Sequence, residues 1–259
     1  MNFYPGFDIK PTYNPFGFIY GENVFGPEVE NRKLDDIRKS LMNPNCDGPE
    51  IVYSIAMDVG DKEDRENMIK RNLLFGVVTY ASGRLGKEPV RSQGHIHSIS
   101  NSCKSSTPEV YEIWQGKGII YMQESAKSNP GRCIAVFAQP GDVVIVPPYY
   151  AHYTVSIDLQ IPLTFGAWCV RDFGFDYDEI REHKGLAYFP IFNEKGNIEW
   201  IHNDKYEKTT LTLTNAREYK EFFINKDIPI YTQFKKDKDK FLFVSNPQLV
   251  KEKWENFNP

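Results

Sequence analysis

Gly94-His95-Ile96-His97, then Glu109-Val110-Tyr111-Glu112-Ile113-Trp114 ahead of Gly116, then Gly141 followed by Pro147-Pro148-Tyr149-Tyr150-Ala151-His152, form the stretch on which the fold turns. Three of the chain's five histidines fall inside it, with a carboxylate between them. Side chains alternate across a strand, so His95 and His97 project from one face and can converge on one ion. From 109 to 114 the same period puts Glu109, Tyr111 and Ile113 on one face and Val110, Glu112 and Trp114 on the other, so the two glutamates cannot both face one ion. The stretch reads as a metal site.

Working outward, Gly116-Lys117-Gly118 is a turn signal before a second strand-like run at 119–123, and the two runs are expected to pair as a hairpin. Short β-rich runs follow at 133–137 and 143–146, separated by Gln139-Pro140-Gly141-Asp142, where proline and glycine suit a tight turn. Pro147-Pro148 stops the ladder, because neither residue donates a backbone hydrogen bond. Upstream, 51–59 and 73–80 are strand-like, and Ser82-Gly83-Arg84-Leu85-Gly86 is a flexible loop leading to the histidines. Downstream, 163–170 is a strand, and 189–192 with 198–201 reads as a hairpin around Glu194-Lys195-Gly196-Asn197.

Helical signals are few. Leu34, Ile37, Arg38 and Leu41 keep helical spacing over 31–42, with Asn43-Pro44 beyond the end. Residues 176–183 suit a short helical turn, and 214–225 a helix with Asn215 near its start. Residues 1–30, rich in Gly, Pro, Asn and aromatics, suit an arm rather than a regular element. The charge-dense runs at 61–71 and 235–240 read as solvated turns, the first with the option of a short helix.

Composition bounds the function. A chain of 259 residues fits one large or two small domains, and 41% hydrophobic, 25% charged and 14% aromatic residues supply a full core. The net charge of −4 argues against a nucleic-acid groove. No apolar run reaches membrane-spanning length, and Met1-Asn2-Phe3-Tyr4-Pro5 lacks the basic start and apolar centre of a signal peptide, so no membrane contact and a cytoplasmic location are expected. Cys46, Cys103, Cys133 and Cys169 contain no C-x-x-C pair and read as reduced thiols.

The spacing H-x-H, then Glu109 with Gly116 seven residues on, then Gly141, Pro147 and His152, resembles the two motifs of the cupins. The likeness narrows further. Gly94-His95-x-His97, Glu109-Val110-Tyr111, Gly116-Lys117-Gly118, Pro147-Pro148-Tyr149-Tyr150-Ala151-His152-x-Thr154-Val155 and Phe175-Asp176-Tyr177 are similar to the cupin-type glucose-6-phosphate isomerases. Upstream, Phe16-Gly17, Arg32-x-Leu34-x-Asp36, Val52-Tyr53 and Gly86-Lys87-Glu88 keep that family's order, and the likeness covers about residues 16 to 205. It implies an all-β fold, a cupin double-stranded β-helix or jelly roll. An N-terminal arm and helix (1–50) would pack on a barrel (51–205), followed by a C-terminal extension with short helices (206–259).

The resemblance also implies a site and an activity. His95, His97, Glu109 and His152 would hold a divalent transition ion; their mixed nitrogen and oxygen shell suits iron, manganese, nickel or zinc alike. The activity would be interconversion of glucose 6-phosphate and fructose 6-phosphate, in glycolysis and gluconeogenesis. Glu109, as the base, and Tyr111, near the sugar, would be the catalytic residues, by proton transfer through a cis-enediol or by the competing hydride shift. Ser92, Gly94, Tyr111, Thr79 and Tyr177 would contact the sugar phosphate, although the register leaves Val78 or Thr79 in the family's threonine position. A homodimer is implied as well.

The chain departs from the pattern at several points. Residues 98–108 are an insertion, which costs little closure entropy; Ser156 stands where the family often has Asn; the family tyrosine after the second motif falls at Trp168-Cys169; and Phe175 replaces a histidine. Two further readings therefore stay open: a cupin isomerase or epimerase acting on another sugar or sugar phosphate, and a non-catalytic, metal-containing sugar-binding cupin. His183 and His202 lie outside the motif set and read as surface residues.

Overall fold

Strict alternation along the central strands decides how the layers stack. The computed structural model describes residues 3–259. One six-stranded sheet runs in the order Val143–Val146, Glu109–Gln115, Leu163–Val170, Leu73–Tyr80, Ile51–Met57 and Glu30–Lys33, antiparallel throughout. The second runs Leu211–Asn215, Cys133–Ala138, Gly118–Gln123, Ala151–Ser156, Glu88–Arg91 and Arg84–Leu85, where only the pair Leu211–Asn215 with Cys133–Ala138 is parallel. This is the jelly roll of a cupin.

Between the sheets lies one apolar core, built from inward residues such as Leu74, Tyr111, Ile113, Phe165 and Ala167 on the first sheet and Ile120, Met122, Ile134 and Val136 on the second. The outward residues are buried too. Phe75, Val77, Val110, Trp114 and Trp168 pack against Phe7, Tyr219, Ile230, Tyr231, Phe234 and Phe241, so the C-terminal segment covers the first sheet. Ile119, Tyr121, Tyr153 and Val155 meet Ile180, Leu186, Ala187 and Tyr206 on the other side. Burial on both faces explains why Leu163–Val170 carries no exposed position.

Several local expectations are corrected. Glu109–Gln115 and Gly118–Gln123 are not a hairpin: they belong to different sheets, and Gly116, at φ +73, turns the corner between them. A Cβ there would stand 2.6 Å from the Pro162 carbonyl oxygen, so the close approach itself requires glycine. The helix expected over 31–42 is an α-turn at Leu34–Ile37 continued by a 3₁₀ turn at Arg38–Ser40, because Glu30–Lys33 pairs with Ile51–Met57 and extends that backbone. The helix expected over 214–225 is absent. Leu211–Asn215 instead adds to the open edge of Cys133–Ala138, and only Lys220–Phe222 is helical, in a 3₁₀ turn. Residues 1–30 include regular structure after all, in the hairpin Ile9–Tyr13 with Phe16–Tyr20.

Other expectations hold. Arg65–Lys70 and Asp178–Glu182 are short helices, and Tyr188–Phe192 pairs with Ile198–His202. Among the described residues no helix is long and apolar enough to cross a membrane.

Candidate metal centre and the cavity above it

His95 and His152 are brought together by backbone before any side chain acts. Each amide donates to the other's carbonyl at 3.0 Å, which sets their rings 4.4 Å apart between centroids. His97 lies two residues on, in Ile96–His97, which pairs with Phe175–Asp176. Glu109 opens the strand Glu109–Gln115 on the facing sheet. One ligand atom from each of these four residues falls within 4.8 Å of the others.

Their orientation suits a cation. His97 Nδ1 lies 2.8 Å from the Thr107 carbonyl oxygen and His152 Nδ1 3.2 Å from that of Tyr150. A carbonyl only accepts, so each Nδ1 carries the proton and each Nε2 presents a lone pair. The Nε2 atoms of His95, His97 and His152 are buried and have no hydrogen-bond partner. Those of His97 and His152 stand 3.2 and 3.4 Å from Glu109 Oε2. Three orphaned nitrogens around one carboxylate are costly unless something electropositive sits among them, and the donor set fits a divalent transition ion.

Electrostatics agree with that donor set. Burial, and then the neighbouring His152 and His97, push the His95 pKa well below its ordinary value, and burial lowers that of His152. Burial would raise Glu109; protons on the Nε2 atoms of His152 and His97, the positions a bound cation would face, outweigh it and hold the carboxyl well below its usual range. Neutral imidazoles and an ionised carboxylate are the forms that coordinate metals.

Glu109 is also held from behind. The Tyr111 hydroxyl donates to Oε2 at 2.8 Å and the Cys169 thiol to Oε1 at 3.3 Å. The inserted segment 98–108 contributes as well: its Thr107 carbonyl orients His97, while Ser100 and Ser102 bond to Asp172. Sequence reasoning marked Cys169 and the insertion only as departures, since neither contact leaves a signal in spacing.

Above His95, Glu109 and His152 opens a cavity of ≈ 390 Å³. Ser92, Tyr111 and Tyr177 line it. Thr79 does not: Val78 takes the inward position, and Thr79 points to the opposite face of Leu73–Tyr80, its hydroxyl 2.9 Å from that of Thr164. Alternation allows only one of the two to face inward. Gly94 is also absent from the wall; at φ +91 it turns the chain toward the histidines, and a Cβ would press on Leu186 at 3.3 Å. Phe175 lies with its ring 4.4 Å from that of His95, and Cys169 rather than Trp168 faces inward. Arg32 lines the cavity too, and no periodicity singled it out.

Outside this centre, His183 and His202 are half-buried rather than free on the surface, packed on Tyr206 and Tyr188. The acidic group Asp61, Glu63 and Asp64 is already paired with Lys235 and Lys238.

Comparison with known proteins gives a consistent picture. The family model described as "Glucose-6-phosphate isomerase (GPI)" matches residues 39–208. A protein of Thermococcus gammatolerans named glucose-6-phosphate isomerase is 30% identical over 181 residues, covering 68% of this chain and 86% of the other. One of Pyrococcus furiosus with the same name is 32% identical over 158 residues, 61% of this chain and 74% of the other. A protein of Rhizobium meliloti named putative glucose-6-phosphate isomerase 1 is 30% identical, covering 66% and 74%. Among solved structures, one of oxalate oxidase aligns at a TM-score of 0.36 and 12% identity over 48% of this chain and 54% of that one, too slight to bear on the reading.

Proposed function

This chain belongs to the glucose-6-phosphate isomerase family in its cupin form, and on that premise we propose that it interconverts glucose 6-phosphate and fructose 6-phosphate at a transition-metal centre held by His95, His97, Glu109 and His152. The observation that carries this reading is the set of three unpartnered imidazole nitrogens grouped with one carboxylate, with His95, Glu109 and His152 open to a cavity.

A divalent ion bound there supplies Lewis acidity to a neighbouring sugar oxygen. The remaining work falls to the chain. Aldose to ketose conversion removes a proton from C2 and delivers one to C1, while the carbonyl moves from C1 to C2 and the hydroxyl proton from O2 to O1. Glu109, ionised at neutral pH as an ordinary carboxylate is, accepts the carbon-bound proton and returns it. Tyr111 fixes one carboxylate oxygen and Cys169 the other, so the carboxylate cannot swing away during transfer. Phe165, Phe173 and Phe175 give the cavity apolar walls that exclude water. A second reading, isomerisation of a related sugar phosphate, is favoured by Phe175, which puts a ring without an ionisable group against His95.

A coupled assay with fructose 6-phosphate, before and after chelation and with iron, manganese, nickel or zinc restored, tests the proposal. Turnover lost on chelation and regained with metal is expected. Full turnover by metal-free protein removes the metal centre from the reading; turnover of other sugar phosphates alone favours the second.

A further inference from the structure

The cavity above the metal centre is uneven in charge. Among its described lining residues Arg32 is the only lysine or arginine, with Glu28 and Glu30 close to it in sequence and much of the remaining wall aromatic or aliphatic. Arg32 sits on the edge strand Glu30–Lys33, opposite Tyr53 in register, beside an irregularity between Arg32 and Lys33. Its guanidinium stands beside the phenols of Tyr53 and Tyr177, both of which line the same cavity.

The guanidinium is only partly satisfied. Its Nη2 donates to Glu30 Oε1 at 2.6 Å, and Glu30 is 62% exposed, so water competes for that partner. Its Nε is buried and has no partner. A buried donor without an acceptor is unfavourable, and here the open cavity offers the space for one. A planar guanidinium edge matches two adjacent oxygens of an oxyanion, and phenol hydroxyls on either side add donors for a third. Ser92 contributes a neutral hydroxyl to the wall, so the positive charge at the non-metal end of the cavity comes from Arg32.

We infer that Arg32 receives the phosphate dianion of the substrate and sets the preference of this site for a phosphorylated over a neutral sugar. The identity of the sugar rests on the isomerase reading above; the contact with phosphate does not.

The test uses Arg32→Met and Arg32→Lys in the full chain, with inorganic phosphate as the probe. Arg32 lies on an edge strand with its side chain 26% exposed, so both variants are expected to fold. For wild type, phosphate is expected to raise the melting temperature and to compete with fructose 6-phosphate. In Arg32→Met the melting shift disappears, the inhibition constant for phosphate rises at least tenfold, and KM for the sugar phosphate rises roughly ten- to a hundredfold with kcat far less changed. Arg32→Lys, which keeps the charge but not the fork, falls between. Metal content stays that of wild type throughout. An Arg32→Met protein with wild-type phosphate inhibition and KM overturns the assignment. Should wild type turn over no fructose 6-phosphate, the isomerase reading fails separately, and the melting shift still decides Arg32: lost in Arg32→Met it supports the contact, and equal in both proteins or absent from both it overturns it.

Discussion

The thiol of Cys169 donates to Glu109 Oε1 across 3.3 Å, from a strand that also packs against the interior core. The contact joins a proposed base to a residue that contributes no charge. Replacing Cys169 with Ala frees that oxygen without removing a ligand, and kcat is expected to fall severalfold while bound metal stays constant. Cys169→Ser, which keeps a donor, restores most of the rate. Equal rates in all three proteins would show that the bond does not position Glu109.

Thiol reactivity gives an independent check on burial. Burial pushes the Cys46 thiol up, that of Cys133 to about 11 and that of Cys169 well above its ordinary value, while Cys103 alone is partly exposed. Since the thiolate is the reactive form, a disulfide reagent should label Cys103 rapidly in the native protein and the other three only after denaturation. Rapid labelling of Cys169 in the folded state would contradict the closed wall behind Glu109.

Stability should depend on pH through Glu112. Its carboxyl accepts from the Ile230 amide at 2.8 Å and from Trp114 Nε1 at 3.0 Å, on the face of Glu109–Gln115 turned away from Glu109 and the three histidines. Burial raises it from 4.5 to about 8 against those two hydrogen bonds. The folded state therefore keeps a proton that the unfolded chain releases. The associated stability is complete below about pH 4.5 and is lost as pH rises toward about 8, on the order of 1.4 kcal/mol for each unit by which the two values differ. Glu112→Gln removes this dependence, so the melting temperature of the variant should gain on wild type across that window. A constant difference would show that Glu112 does not titrate there.

Much of the site was legible because strands write their geometry into sequence. Residues two apart share a face, which paired His95 with His97, set Tyr111 beside Glu109 and separated Glu112 from both. The same rule leaves Val78 and Thr79 on opposite faces, but only the register of Leu73–Tyr80 against Leu163–Val170 says which one turns inward. Partners of strands were harder to read. A turn at Gly116 looks alike whether it closes a hairpin or carries the chain to the facing sheet. Leu211–Asn215 is a strand only because Cys133–Ala138 offers it an edge. The C-terminal cover was hidden for a different reason: helices such as Ile230–Lys236 and Leu242–Ser245 are too short to establish a period, and they are held by aromatic contacts with Trp168 and its neighbours. Arg32 was legible only as the first residue of Arg32-x-Leu34-x-Asp36 and not as part of a site, since its place on the cavity wall arises from a single edge-strand pairing.

The measurement that bears most directly on the account is the number of transition ions bound per chain by wild type and by the double variant His95→Ala/His152→Ala, determined by elemental analysis after metal loading and dialysis, with circular dichroism as the control for folding. The account predicts a single ion in wild type, and none in a variant that keeps its β-sheet spectrum and has lost turnover of fructose 6-phosphate. A folded variant that retains the ion, or a wild-type protein that turns over the sugar phosphate while holding none, would contradict it.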